Sequence, residues 1–238
     1  MSQAESHVVT FEQRKQQISQ QLAGQPLIRA INFHNTSRWR EAEFIEQLQH
    51  CQQNFSPVSE DDLLSYLTSG QWHKPKPGVI LAFYEGYRSN YDVIVPLLDK
   101  LGLVGWFFVI TGFIDSPIEQ QLTYANQHDI GMDLNEYLDG RYAMTWEELR
   151  DVDQRHVVAS HALSHQFVDP MDEATRREEI IGSQDSFRKE LGHTVRTFVL
   201  RGGPAFGENP DVDILVLEAG YQIQFSNFQI QKLPQQTS

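Results

Sequence analysis

Cysteine, positive charge and long apolar runs are all scarce in this sequence, and each shortage excludes something. Cys51 is the one cysteine among 238 residues, so there is no intrachain disulfide framework and no metal site built from several thiolates. Its place in a helical pattern predicts a packing role. Lys and Arg total 19 against 32 Asp and Glu, a formal net charge of -13, which repels a phosphate backbone rather than gathering it. Nucleic acid is therefore not an expected partner. No apolar run reaches the roughly 18 residues of a membrane-spanning helix. The opening stretch carries Gln and charge in place of a signal-peptide apolar segment, which sets the expectation of a cytoplasmic location.

What is present is ordinary globular material, 40% hydrophobic and 21% charged, in a length suited to one domain with a buried core. Residues 1–26 read as a polar N-terminal arm and 27–238 as a single domain. From Leu27 short apolar runs alternate with helical spacing. Val79-Ile80-Leu81-Ala82-Phe83 is apolar on both faces, as a buried parallel strand requires. Ser59 with Asp62, and Thr145 with Glu148, open helices as capping boxes. Further helices are predicted over Trp39–Gln53, Asn90–Leu101, Asp172–Leu191 and Asp211–Ala219. Strands are predicted at Leu103–Thr111, His156–Ser160, Thr197–Leu200 and Tyr221–Phe225. This alternation predicts a mainly parallel α/β fold, a distorted barrel of seven or eight strands, with an open doubly wound sheet as the alternative. Asp115–Ala143 lacks clear periodicity and reads as a loop over the site.

Three groups of residues bear chemistry. His161 and His165 stand four apart after a predicted strand, a spacing that on a helical turn puts both imidazoles on one face. Glu85 follows the strand ending near Phe83, and a carboxylate with two histidines makes a metal triad with open coordination positions. Arg201 begins a glycine-rich turn through Phe206 and Gly207.

Taken in order, these pieces resemble the polysaccharide deacetylase superfamily over nearly the whole chain. Ala82-Phe83-Tyr84-Glu85-Gly86-Tyr87 stands where that family has Thr-Phe-Asp-Asp-Gly-Tyr, and His161 to His165 matches its His-x-x-x-His. Trp146-Glu-Glu-Leu149 precedes the histidines as in many members, Arg201 to Gly207 follows, and Phe33-His34 is similar to a Tyr-His near the start of some.

The resemblance implies a distorted (β/α) barrel hydrolysing a carbon–nitrogen amide bond of an N-acylated sugar or polysaccharide. It implies a divalent cation, zinc first, with cobalt, nickel or manganese as alternatives, held by Glu85, His161 and His165. It also assigns Tyr84 to the base position, Arg201 to orienting that base, and Trp146 and Phe206 to substrate contact. The departures are specific. A tyrosine, with a reference pKa near ~10, replaces a carboxylate base, and the family's late histidine has no counterpart, because His193 is the last. His34, after another predicted strand, is the candidate to replace it. Two other readings stay open: hydrolysis of a small cyclic amide or ureide, and a degenerate domain that binds a saccharide or protein without turnover.

Overall fold

A computed structural model describes residues 28–167 and 172–235. The predicted arm, 1–26, lies outside the described residues. The strands are β1 (Ile28–Phe33), β2 (Ser56–Pro57), β3 (Gly78–Glu85), β4 (Gly105–Val109), β5 (Val157–Ser160), β6 (Thr197–Val199), β7 (Ile223–Phe225) and β8 (Ile230–Lys232). They form one sheet in the order β1-β3-β4-β5-β6-β7-β8, with β2 pairing the start of β3. All pairings are parallel except β7 with β8. β1 and β8 are the two ends of this curled, barrel-like sheet, so the seam between them is open.

The continuous apolar reading of β3 has a direct cause. Val79, Leu81 and Phe83 join Phe107, Val158 and Phe198 in a layer covered by helices. Ile80 and Ala82 point the other way and, with Trp106, Phe108, Ala159 and Phe225, fill the inside of the curl. Both faces are buried, so neither needs polar residues, and burying one such large side chain contributes about 1.5–3 kcal/mol. The single polar atom of Trp106 is satisfied, its Nε1–H donating to the Val58 carbonyl at 2.8 Å.

The helices are α1 (Glu41–Asn54), α2 (Glu60–Ser69), α3 (Val95–Leu101), α4 (Thr111–Asp115), α5 (Ile118–Gln127), α6 (Trp146–Asp153), α7 (Glu173–Arg177), α8 (Ser183–Leu191) and α9 (Pro210–Glu218). Both expected capping boxes form, at Ser59 with Asp62 and at Thr145 with Glu148. Cys51 is buried in α1. Two predicted helices contain a wide i→i+5 turn, at Asn90–Ile94 before α3 and at Glu178–Gly182 between α7 and α8.

The expectation of a structureless 115–143 is corrected by α5. Its larger apolar residues Ile118 and Leu122 are exposed, whereas its buried residues are Gln121 and the small Ala125. The Gln121 Oε1 accepts the backbone N–H groups of Tyr142 and Ala143 at 2.7 and 3.0 Å. A helix docked through an amide, with the small Ala125 and the partly buried Tyr124 beside it, leaves a weak apolar stripe to read.

Candidate metal centre

β3, β5 and β6 run parallel, so the residues that follow them gather at one end of the sheet. Glu85 is the last residue of β3 and His161 the first after β5. Glu85 has a φ of 68°, a left-handed conformation uncommon outside glycine. Simple alternation would send neighbours Tyr84 and Glu85 to opposite faces; with this twist at the strand end, both line the same cavity.

The His161–His165 segment is a turn and not the single helical turn its spacing suggested: Ala162 and His165 each have a φ of 61°. The turn is seated on the start of α4, where Thr111 N–H meets the Ala162 carbonyl at 3.3 Å and Gly112 N–H the Leu163 carbonyl at 2.9 Å. Gly112 is required there, because a Cβ would lie 2.7 Å from the Leu163 oxygen and 2.5 Å from the Tyr124 hydroxyl.

This turn brings Glu85, His161 and His165 together, with one ligand atom from each all within 4.8 Å of one another. Each histidine is held by a backbone carbonyl: His161 Nδ1–H donates to Val199 at 3.2 Å and His165 Nδ1–H to His128 at 2.8 Å. That fixes the tautomer and leaves Nε2 as the lone-pair donor, the usual outer arrangement of a metal-binding imidazole. Burial pushes the His161 pKa down to about 3, so the ring is neutral and able to ligate near neutral pH. One carboxylate and two imidazoles suit a borderline divalent cation such as zinc.

His34, just past β1, reaches the same place. Its Nδ1–H donates to both Glu85 oxygens, at 3.0 and 2.9 Å, and this bond raises its pKa above the ordinary histidine value. In metal-stripped protein, His34 followed by NMR should titrate above 6.5, and Glu85→Gln should return it toward that value. His161 sets the opposite trend in stability. Its folded pKa is depressed, so the unfolded chain binds the extra proton first, and stability should fall as pH drops from about 6.5. Urea titrations of the stripped protein between neutral and acid pH check this, and a flat profile there contradicts it.

Tyr84 is stacked on Phe108, with ring centroids 4.9 Å apart, and lies edge-on to His161 at 5.4 Å. Burial, with the Glu85 charge second, pushes its pKa well above that of a free phenol. It keeps its proton across the physiological range. Arg201 lines the cavity, but its hydrogen bonds go to the His165 carbonyl at 3.2 Å and Asp129 at 2.8 Å rather than to Tyr84. The expected orienting role toward position 84 is thus replaced by a clasp between the histidine turn and the 128–131 loop.

Two expected substrate contacts fall elsewhere. Trp146 packs edge-on against Phe187 and donates its Nε1–H to Asp115 at 2.7 Å. Phe206 packs on the helix-covered core, and its backbone N–H and carbonyl pair with the Gln231 side-chain amide. Neither lines the cavity: one opens a helix whose inner face is core, and the other follows a turn that carries it past the sheet end. Asp129 does line it, from the segment read as a loop. The adjacent pair His128-Asp129 inside that loop is the one signal that could have marked it.

The cavity measures about 990 Å³ and follows the open seam. Ile28, Ala30 and Asn32 of β1 form one wall, and Ser226 through Ile230 the other.

Residues 72–223 match the sequence family described as Polysaccharide deacetylase. The poly-beta-1,6-N-acetyl-D-glucosamine N-deacetylase of Escherichia coli O157:H7 is 24% identical over 173 residues, 68% of this chain. The chain spans 24% of that relative's length. Among solved structures, IcaB from Ammonifex degensii superposes with a TM-score of 0.64 at 20% identity, covering 87% of this chain and 86% of that one. Streptococcus pyogenes deacetylase PplD, in complex with acetate, gives 0.64 at 16% identity over 86% and 84%. At such identities these likenesses speak for the fold.

Proposed function

This chain belongs to the polysaccharide deacetylase family, and from that premise we propose that it is a metal-dependent hydrolase removing N-acetyl groups from an N-acetylated sugar polymer. The observation that carries this reading is the cluster of Glu85, His161 and His165, each imidazole tautomer-fixed by a backbone carbonyl, beside an open cavity. The E. coli relative's name, a poly-N-acetylglucosamine N-deacetylase, supports the acetyl group and the sugar.

A divalent cation held by Glu85, His161 and His165 would polarise the amide carbonyl and make a water nucleophilic at neutral pH. The chain's own residues then handle protons and position. Glu85 raises the proton affinity of His34 through Nδ1, which suits His34 to deliver a proton from Nε2 to the departing amine. Tyr84 retains its phenolic proton and can donate a hydrogen bond to a reacting oxygen but not accept a proton. Arg201 ties the His165 carbonyl to Asp129, holding the histidine turn against the cavity wall.

Cavity shape favours a polymer over a small cyclic amide. An open trough bounded by β1 and by Ser226–Ile230, rather than a closed chamber, suits a chain lying across the site. The test is incubation of zinc-loaded protein with poly-β-1,6-N-acetylglucosamine oligomers and assay of free amine. Amine release that stops with chelator and returns with zinc is expected. Hydrolysis confined to cyclic amides would move the substrate to the smaller class, and metal binding with no amide turned over would favour a binding domain.

A further inference from the structure

We infer that Glu179 is the positioning residue that sets the shape of the His161–His165 turn, an inference that rests on the cation reading above. Glu179 is 2% exposed and belongs to the i→i+5 turn Glu178–Gly182 between α7 and α8. One of its carboxylate oxygens accepts the backbone N–H groups of Leu163, at 3.1 Å, and Ser164, at 2.8 Å. The other accepts the Ser164 hydroxyl. Burying a carboxylate is costly unless hydrogen bonds or a cation compensate. Among the described residues no Lys or Arg forms an ion pair with Glu179. Its compensation comes from two consecutive residues that lie between the two candidate histidine ligands.

The turn needs such a hold. Ala162 and His165 both carry left-handed φ values of 61°, which persist in non-glycine residues when the surroundings over-determine them. Glu179 supplies one clamp and Ser183 another: the Ser183 Oγ lies 2.8 Å from the Ser160 Oγ, which accepts the Ala162 N–H at 3.2 Å. Both clamps project from, or immediately follow, the wide turn. Such turns recur inside helices at functional sites. Here the wide turn serves the His161–His165 turn.

Glutamine at 179 matches the size of glutamate but turns one acceptor into an N–H donor, so it cannot accept all of these bonds. The experiment measures zinc dissociation constants for the full chain by competition with a chromogenic chelator, together with the visible spectrum of the cobalt-loaded protein. Glu179→Gln should bind zinc about 10–100-fold more weakly than the parent, the usual effect of losing an outer partner, and its cobalt bands should shift. Ser164→Ala should show a smaller loss in the same direction.

Gln184 is the control, a buried amide further along the same helical stretch whose bonds go to Val195 and Ala219. Gln184→Leu should lower the melting temperature and leave zinc affinity within about twofold. Parent-like affinity and spectrum in Glu179→Gln, or a loss no greater than that of Gln184→Leu, overturns the inference while the cation reading stands. If Glu179→Gln does not fold, unchanged zinc affinity in Ser164→Ala overturns it instead. A parent chain that itself binds no zinc removes the cation reading and this inference together.

Discussion

His161→Ala is expected to abolish zinc binding at micromolar metal and, with it, amide hydrolysis. The ring is almost wholly buried and its Nδ1–H is committed to the Val199 carbonyl, which leaves Nε2 as the atom facing Glu85 and His165 and able to ligate a cation. Outer partners of such histidines are worth roughly 10–100-fold in metal affinity, and deleting the ligand itself should exceed about 100-fold. The loss should not follow from unfolding, since the residue stands in a turn and β5 ends before it. Elemental analysis of zinc-reloaded parent and variant checks this, and equal metal content in folded samples contradicts it.

Tyr84→Asp is expected to change activity in the other direction. In the parent the phenol keeps its proton, so position 84 has no group able to take one from the attacking water. Aspartate there supplies a carboxylate beside Glu85 and should raise turnover by about tenfold or more, within the range general bases contribute. The gain has a structural cost. The Tyr84 ring is stacked on Phe108 at 4.9 Å and on His34 at 5.4 Å, and removing it should lower stability by about 1–3 kcal/mol. Tyr84→Phe keeps the stacking and removes only the hydroxyl, so it should retain parent stability. A collapse of native turnover in Tyr84→Phe would make the phenol itself catalytic and would overturn the view of position 84 as a lost base.

Residue type and order made much of the centre legible, and backbone geometry hid the rest. Glu85, His161 and His165 are readable because a carboxylate and a pair of histidines stand at the ends of two apolar runs of strand length. Their local conformation was not. Glu85, Ala162 and His165 have positive φ without being glycine, and tertiary contacts impose that in ways no pattern announces. A His-x-x-x-His spacing reads as a helical face, and what gathers the rings here is a turn pinned by Glu179 and by α4.

Glu179 itself was invisible for a related reason. In a stretch as charged as Glu173-Ala-Thr-Arg-Arg-Glu-Glu, an acidic residue reads as solvated, yet this one is buried. Trp146 and Phe206, expected from the resemblance, do not line the cavity, because a resemblance transfers position along the chain more safely than the direction a side chain points. Arg201 was found by its turn, but its partner Asp129 comes from across the site, and long-range pairing leaves no trace in local spacing.

The most direct measurement is anomalous diffraction at the zinc edge from crystals of the parent chain soaked in zinc. Expected is a single strong peak about 2 Å from a Glu85 carboxylate oxygen, His161 Nε2 and His165 Nε2. A peak located elsewhere, or no peak among these side chains at saturating zinc, contradicts the assignment of Glu85, His161 and His165 as one metal centre.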